Sequence, residues 1–185
     1  MSMCRWMQAW LEPDQYYYAS SDFHLTVLSL FTATADPEPF VARTGQYVSA
    51  LDAALRAVPP INIEFAGITA SPAAILIQGF PESGALNDLR DKLQHELRLR
   101  GLTEGLDGRY RLETAHLTFV RFKSPLRNGE KLAAALEDYR QEPFGTTNIR
   151  QLFLVKNDWY MSHRTLQTVK RYRLPAVLRS PRTQT

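Results

Sequence analysis

The spacing of apolar residues changes period repeatedly along these 185 residues, and that switching limits the fold more than any other feature. Apolar side chains recurring every second residue share a face only on a strand; recurring every third or fourth, they share one only on a helix. The pattern predicts a strand from Phe23 to Leu30. Asp36-Pro37 then reads as a cap and first-turn proline, with Phe40, Val41, Tyr47, Val48, Leu51 and Leu55 on one helical stripe, and Pro59-Pro60 ends that helix. Ile61, Ile63 and Phe65 alternate, and Ala74 to Phe80 follows the turn residues Ser71-Pro72, which predicts a hairpin.

The next helix is expected from about Ser83 through Leu86, Leu89, Leu93 and Leu97 to Gly101, a C-terminal stop. Asp107-Gly108 marks a turn before a long strand pattern, Arg109 to Phe122. A helix from about Asn128 to Tyr139, a strand from Ile149 to Lys156, a polar loop with Asn157-Asp158 and a strand from Thr165 to Leu174 complete the series. Each half runs strand, helix, hairpin, which is an internal duplication of element order. The expectation is an α+β, pseudo-symmetric single domain of two lobes over 1–174. Met1 to Leu11 reads as the end of a helix at most, and 175–185, with Arg179, Pro181 and Arg182, as a basic mobile tail.

Two segments carry the chemistry: Phe23-His24-Leu25-Thr26-Val27-Leu28 and Ala115-His116-Leu117-Thr118-Phe119-Val120. On a strand, each histidine stands beside its threonine while Leu25, Val27, Leu117 and Phe119 point the other way. If both strands flank one cleft, two imidazoles and two hydroxyls converge there. That set suits phosphodiester hydrolysis without a metal. One neutral imidazole takes a proton from water, and one imidazolium protonates the departing oxygen. The hydroxyls can hydrogen-bond the non-bridging oxygens. A third copy, His163-Arg164-Thr165, lacks the flanking apolar strand and is read as coincidence, or as a loop overhanging the site.

The arrangement resembles the 2H phosphoesterase superfamily, in its RNA 2'-5' ligase-like and 2',3'-cyclic phosphodiesterase branches, from roughly Tyr16 to Leu174. The resemblance implies a duplicated bilobal fold, two antiparallel sheets around a central cleft with helices outside. It implies that His24 and His116 are the catalytic pair and that Thr26 and Thr118 bind phosphate. The substrate class it implies is a 2',3'-cyclic phosphate or 2'-5' phosphodiester at an RNA end or nucleotide; ligation is the same chemistry reversed. The family often has proline where Ala115 precedes the second histidine, and commonly begins with a strand and a helix ahead of the first. The short stretch before His24 therefore suggests a truncated or differently completed first lobe. The family's basic position after the second motif matches Arg121. Simple alternation sets Arg121 on the face opposite His116, as a surface arginine, unless a bulge turns it inward.

Other aromatics have two readings. Tyr18, with Tyr16 and Tyr17, either stacks on a base at the cleft mouth or packs in the core. Trp159 and Tyr160, beside Lys156 in a polar loop, suit a substrate-facing rim. His95 is expected on the exposed side of its helix, without a role.

Charge is uneven: residues 1–97 hold five Lys/Arg against eleven Asp/Glu, and residues 98–185 hold seventeen against eight. A positive C-terminal half suits an anionic partner, or is simply a solvated surface. No His-x-x-x-His, Gly-x-Ser-x-Gly or phosphate-loop motif occurs, so no metal, cofactor or serine nucleophile is expected, nor an obligate protein partner. No apolar run approaches the roughly 20 residues of a membrane span, no signal peptide is recognisable and Cys4 is the single cysteine, which together favour the cytoplasm. The rival function is an RNA- or nucleotide-binding domain of the same kind that is catalytically silent.

Overall fold

A computed structural model describes residues 12–31, 34, 36–106, 114–158, 160–162 and 164–175. The expectations for Met1 to Leu11, the Asp107-Gly108 turn, the strand start at Arg109, Trp159, His163 and the tail beyond Pro175 lie outside the described residues.

The structure is a mixed α+β arrangement. Strand β1 (Tyr16–Tyr17) is followed by helices α1 (Glu38–Val41) and α2 (Thr44–Ala54), then β2 (Ile61–Ser71) and β3 (Ala74–Pro81). Helix α3 (Ala85–Leu99), β4 (Ala115–Arg121), α4 (Gly129–Glu137), β5 (Pro143–Ile149), β6 (Gln151–Lys156) and β7 (Gln167–Arg173) complete it. Five antiparallel strands form one sheet in the order β1-β4-β3-β2-β5, and β6 pairs with β7 in a second. No helix among the described residues is long and apolar enough to cross a membrane.

The main sheet is buried where the sequence alternates. Ile61, Ile63 and Phe65 are 7% exposed or less, and Leu86, Leu89, Leu93 and Leu97 of α3 are buried with them or beside them. Burying each such side chain is worth about 1.5–3 kcal/mol, which is what draws α3 against the sheet. Ser83 accepts the Ala85 amide at 3.3 Å at the start of α3, and Gly101, with φ of +63°, ends it as a left-handed stop. His95 is exposed, as its place on the helix requires.

Three local expectations are corrected. First, the Phe23 to Leu30 segment is not in a strand. Its apolar residues serve two clusters: Phe23, Leu25 and Val27 join the main core, while Leu28 and Leu30 also touch the cluster of Tyr47, Ala50, Leu97 and Leu102. The segment bends at Val27 to reach both, and a chain anchored this way does not run straight enough to pair. Second, the helix expected after Asp36 is split. Thr44 Oγ1 donates to the Val41 carbonyl at 2.5 Å, and Arg43 reaches Gly101 O at 2.8 Å, so the chain turns between α1 and α2. Third, β5 was not anticipated, because Gly145, Thr146, Thr147 and Asn148 carry no apolar alternation; its pairing with β2 holds it at the sheet edge.

The start of the described chain is tied to the segment after β4. The buried Glu12 carboxylate accepts the Arg127 and Asn128 amides at 3.0 and 2.8 Å, just ahead of α4. Gln15, also buried, accepts from the Lys123 amide and donates to the Ser124 carbonyl. These contacts set β1 along β4 and so bring Tyr16 and Tyr18 to the second motif.

Candidate active site

Strand β4 presents the second motif. Its partners on β3 run Ala115 to Gly79, His116 to Gln78, Leu117 to Ile77 and Thr118 to Leu76, and then skip: Val120 pairs with Ile75 and Arg121 with Ala74. Phe119 is therefore the extra residue of a bulge. Ala115 and Val120, 1% and 0% exposed, face the core. The bulge shifts the alternation by one, so Arg121 leaves the face that simple counting gives it and joins His116 and Thr118.

The first motif approaches from an irregular segment. The Phe23 ring meets Phe119 edge-on at 6.4 Å, which seats the segment on the bulge. His24 Nδ1 lies 2.7 Å from the Asp22 carbonyl. A carbonyl only accepts, so Nδ1 carries the proton and Nε2 is the atom left to exchange protons. Thr26 follows, half-buried.

Electrostatics link the two motifs. Burial lowers the pKa of His116 from its ordinary 6.5, and the positive charges of Arg90, His24 and Arg121 push the same way. These surroundings favour the neutral form of His116.

Aromatic side chains wall this face. Tyr18 is 3% exposed, too buried to stack on a base at a cleft mouth, and takes the alternative fate of packing. Its hydroxyl accepts from Arg121 Nε at 3.3 Å, its amide donates to Phe119 O at 3.1 Å, and its ring lies 6.2 Å from the His24 ring. Tyr16 meets Tyr18 edge-on at 4.9 Å and Tyr160 at 4.5 Å. Burial raises the Tyr16 pKa, as do Asp22, Tyr18 and Asp158, while Arg164 opposes them. The loop after β6 therefore lies beside the tyrosine wall. Asp158 Oδ1 accepts the Tyr160 and Met161 amides and fixes that loop's turn.

Arg90 was not singled out in the sequence, yet it belongs to the site. It is 4% exposed, and burial lowers its pKa. A signal existed: position 90 follows Leu86 by four and precedes Leu93 by three, so a charged residue falls on the buried stripe of α3. Among the described residues no group of three or more His, Cys, Asp or Glu side chains is placed to hold a metal ion.

Among solved structures, the chain is similar to TT0787 of Thermus thermophilus, known from a crystal structure, with a TM-score of 0.59 and 16% sequence identity over 88% of this chain and 84% of that one. At that identity the likeness is one of fold. No protein-family model matches the chain, and no curated protein matches it.

Proposed function

We propose that this chain is a metal-independent phosphodiesterase of the 2H phosphoesterase type, with that superfamily's duplicated two-lobed fold, opening 2',3'-cyclic phosphates or 2'-5' linkages of RNA ends or nucleotides. The observation that carries the reading is geometric. The Tyr18 ring lies 6.2 Å from the His24 ring while its hydroxyl accepts from Arg121, and Arg121 and Thr118 share the face of His116, 92 positions along the chain from His24.

His116, whose surroundings favour the neutral form, is the base. It removes a proton from water as the water oxygen bonds to phosphorus. The bond from phosphorus to the ribose oxygen breaks, and His24, as imidazolium, gives its Nε2 proton to that oxygen. Hydroxyls of Thr26 and Thr118 donate to the non-bridging oxygens, and the Arg121 guanidinium offsets the charge that grows there. The basic C-terminal half attracts the anion, and Tyr160 beside Tyr16 offers the substrate an aromatic rim.

Purified protein assayed on cyclic nucleotides and short 2'-5' and 3'-5' oligomers tests this. His24→Ala and His116→Ala should each cut turnover by about a hundredfold or more while keeping affinity for inorganic phosphate. The rate should persist in EDTA; loss in EDTA restored by a divalent ion would sink the proposal.

A second reading, binding of RNA or a nucleotide without turnover, draws on the irregular backbone of the first motif, since catalysis tolerates little displacement of His24. A silent binder would titrate the oligomers with no product formed at any pH.

A further inference from the structure

Arg90 spends its guanidinium on the two motifs. Nε donates to the Val27 carbonyl at 3.0 Å and Nη2 to the Thr114 carbonyl at 3.0 Å, while Nη1 donates to Asn87 Oδ1 at 3.1 Å. Val27 directly follows Thr26, and Thr114 precedes His116 by two residues. One planar side chain on one stiff helix thus joins a backbone point beside each histidine.

We propose that Arg90 is a positioning residue that sets the His24–Thr26 segment against His116–Thr118 by stapling the Val27 and Thr114 carbonyls, an inference that rests on the phosphodiesterase reading. The need for a staple follows from the fold. His116 and Thr118 are registered by the ladder between β3 and β4, but the first motif has no ladder, so side chains must fix its place. Arginine suits the task because its donors diverge from a rigid plane, whereas a lysine ammonium is a single point on a flexible stem. A leucine would continue the apolar stripe of α3 without desolvating a charge. What the guanidinium adds is the pair of carbonyls it joins.

The charge has a second consequence. His116 is faced by Arg90 from α3, by His24 from the first motif, by Arg121 from its own strand and by the neutral Gln78 across the register. Tether and charge separate in two variants. Arg90→Lys keeps the charge and loses the fork; Arg90→Met loses both.

Steady-state kinetics and NMR titration of the imidazoles distinguish the roles. Arg90→Lys is expected to lower kcat by about tenfold to a hundredfold, with KM rising by less, and to raise the His116 midpoint only by the part that the His24 charge contributed. Arg90→Met should lose kcat similarly and move the His116 midpoint further up, toward the ordinary histidine value, because the guanidinium charge is lost as well. In the wild type, His24→Gln should raise the His116 midpoint by removing a repelling charge. In Arg90→Lys that shift should shrink, because the rings part.

Wild-type kcat and unchanged coupling in Arg90→Lys would overturn the proposal, as would losses in both variants that merely track the unfolded fraction. Should either variant fail to fold, Asn87→Ala loosens only the Nη1 contact and should lower kcat by about two- to tenfold; wild-type kcat there would count against the staple. The coupling titration needs no turnover. If the wild-type protein hydrolyses nothing, the phosphodiesterase reading falls, while loss of coupling in Arg90→Lys still upholds the staple and retained coupling overturns it.

Discussion

Replacing Gly79 by alanine tests whether the floor of the site is as tightly built as its geometry requires. A Cβ at position 79 would sit 2.9 Å from Ala115 Cβ, 3.0 Å from Phe65 Cε1 and 3.1 Å from Ile63 Cγ2. Ordinary contacts begin near 3.4 Å, so all three neighbours must give by a few tenths of an ångström. None is the free end of a flexible side chain: Ala115, Ile63 and Phe65 are 1%, 0% and 7% exposed. Overpacking of this kind costs about 1–3 kcal/mol, and with three simultaneous contacts we expect the upper half of that range. Ala115 also precedes His116, so the strain falls on β4 where it carries the site. If a shift of about 1 Å can cost a hundredfold, a few tenths should lower kcat by about two- to fivefold. Urea unfolding gives the first quantity and cyclic-nucleotide turnover the second. Adding Ala115→Gly removes the closest contact and should recover part of the kcat loss. A Gly79→Ala protein within about 0.5 kcal/mol of wild type would refute the packing argument, since surface-like tolerance belongs only to loosely packed positions.

Four further outcomes are expected. The acidic limb of the kcat/KM profile should fall below pH 6.5, because the folded protein lowers the His116 pKa and the base stays neutral until pH passes under that lowered value. For the same reason the unfolded chain takes up this proton first, so the His116 contribution to stability is fully present above 6.5 and declines as pH falls through that window, measurable by urea unfolding across it. Glu12→Ala strips the acceptor from the Arg127 and Asn128 amides ahead of α4 and should cost about 1–3 kcal/mol of stability in the same assay. Tyr18→Phe keeps the ring against His24 but removes the acceptor of Arg121 Nε, so affinity for inorganic phosphate should weaken by about two- to tenfold by calorimetry, with no further loss in an Arg121→Ala background.

The main elements were legible in the sequence because local periodicity and turn chemistry decide them. Leu86, Leu89, Leu93 and Leu97 define α3 wherever it packs, Ser83 and Gly101 mark its ends, and the Ser71-Pro72 turn forces β2 and β3 into a hairpin. The two His-x-Thr motifs were legible as well, since residue type and spacing are local properties of the chain. What failed depended on partners distant in sequence. Phe23 to Leu30 has the composition of a strand, but strand is a statement about neighbours, and two separate apolar clusters claim its side chains instead. β5 has the composition of a loop and becomes a strand only because the edge of β2 is there to pair with it.

The sequence by itself determined where the two His-x-Thr motifs fall and which helices and hairpins form around them, because those properties reside in single side chains and in near neighbours. Tertiary structure alone decided on which side Arg121 stands, that Tyr18 is buried between Arg121 and His24, and that Arg90 joins the two motifs. Each of these depends on one residue of register or on a contact between segments distant in sequence, and neither the extra residue of a bulge nor the carbonyl a buried guanidinium finds is encoded in local pattern.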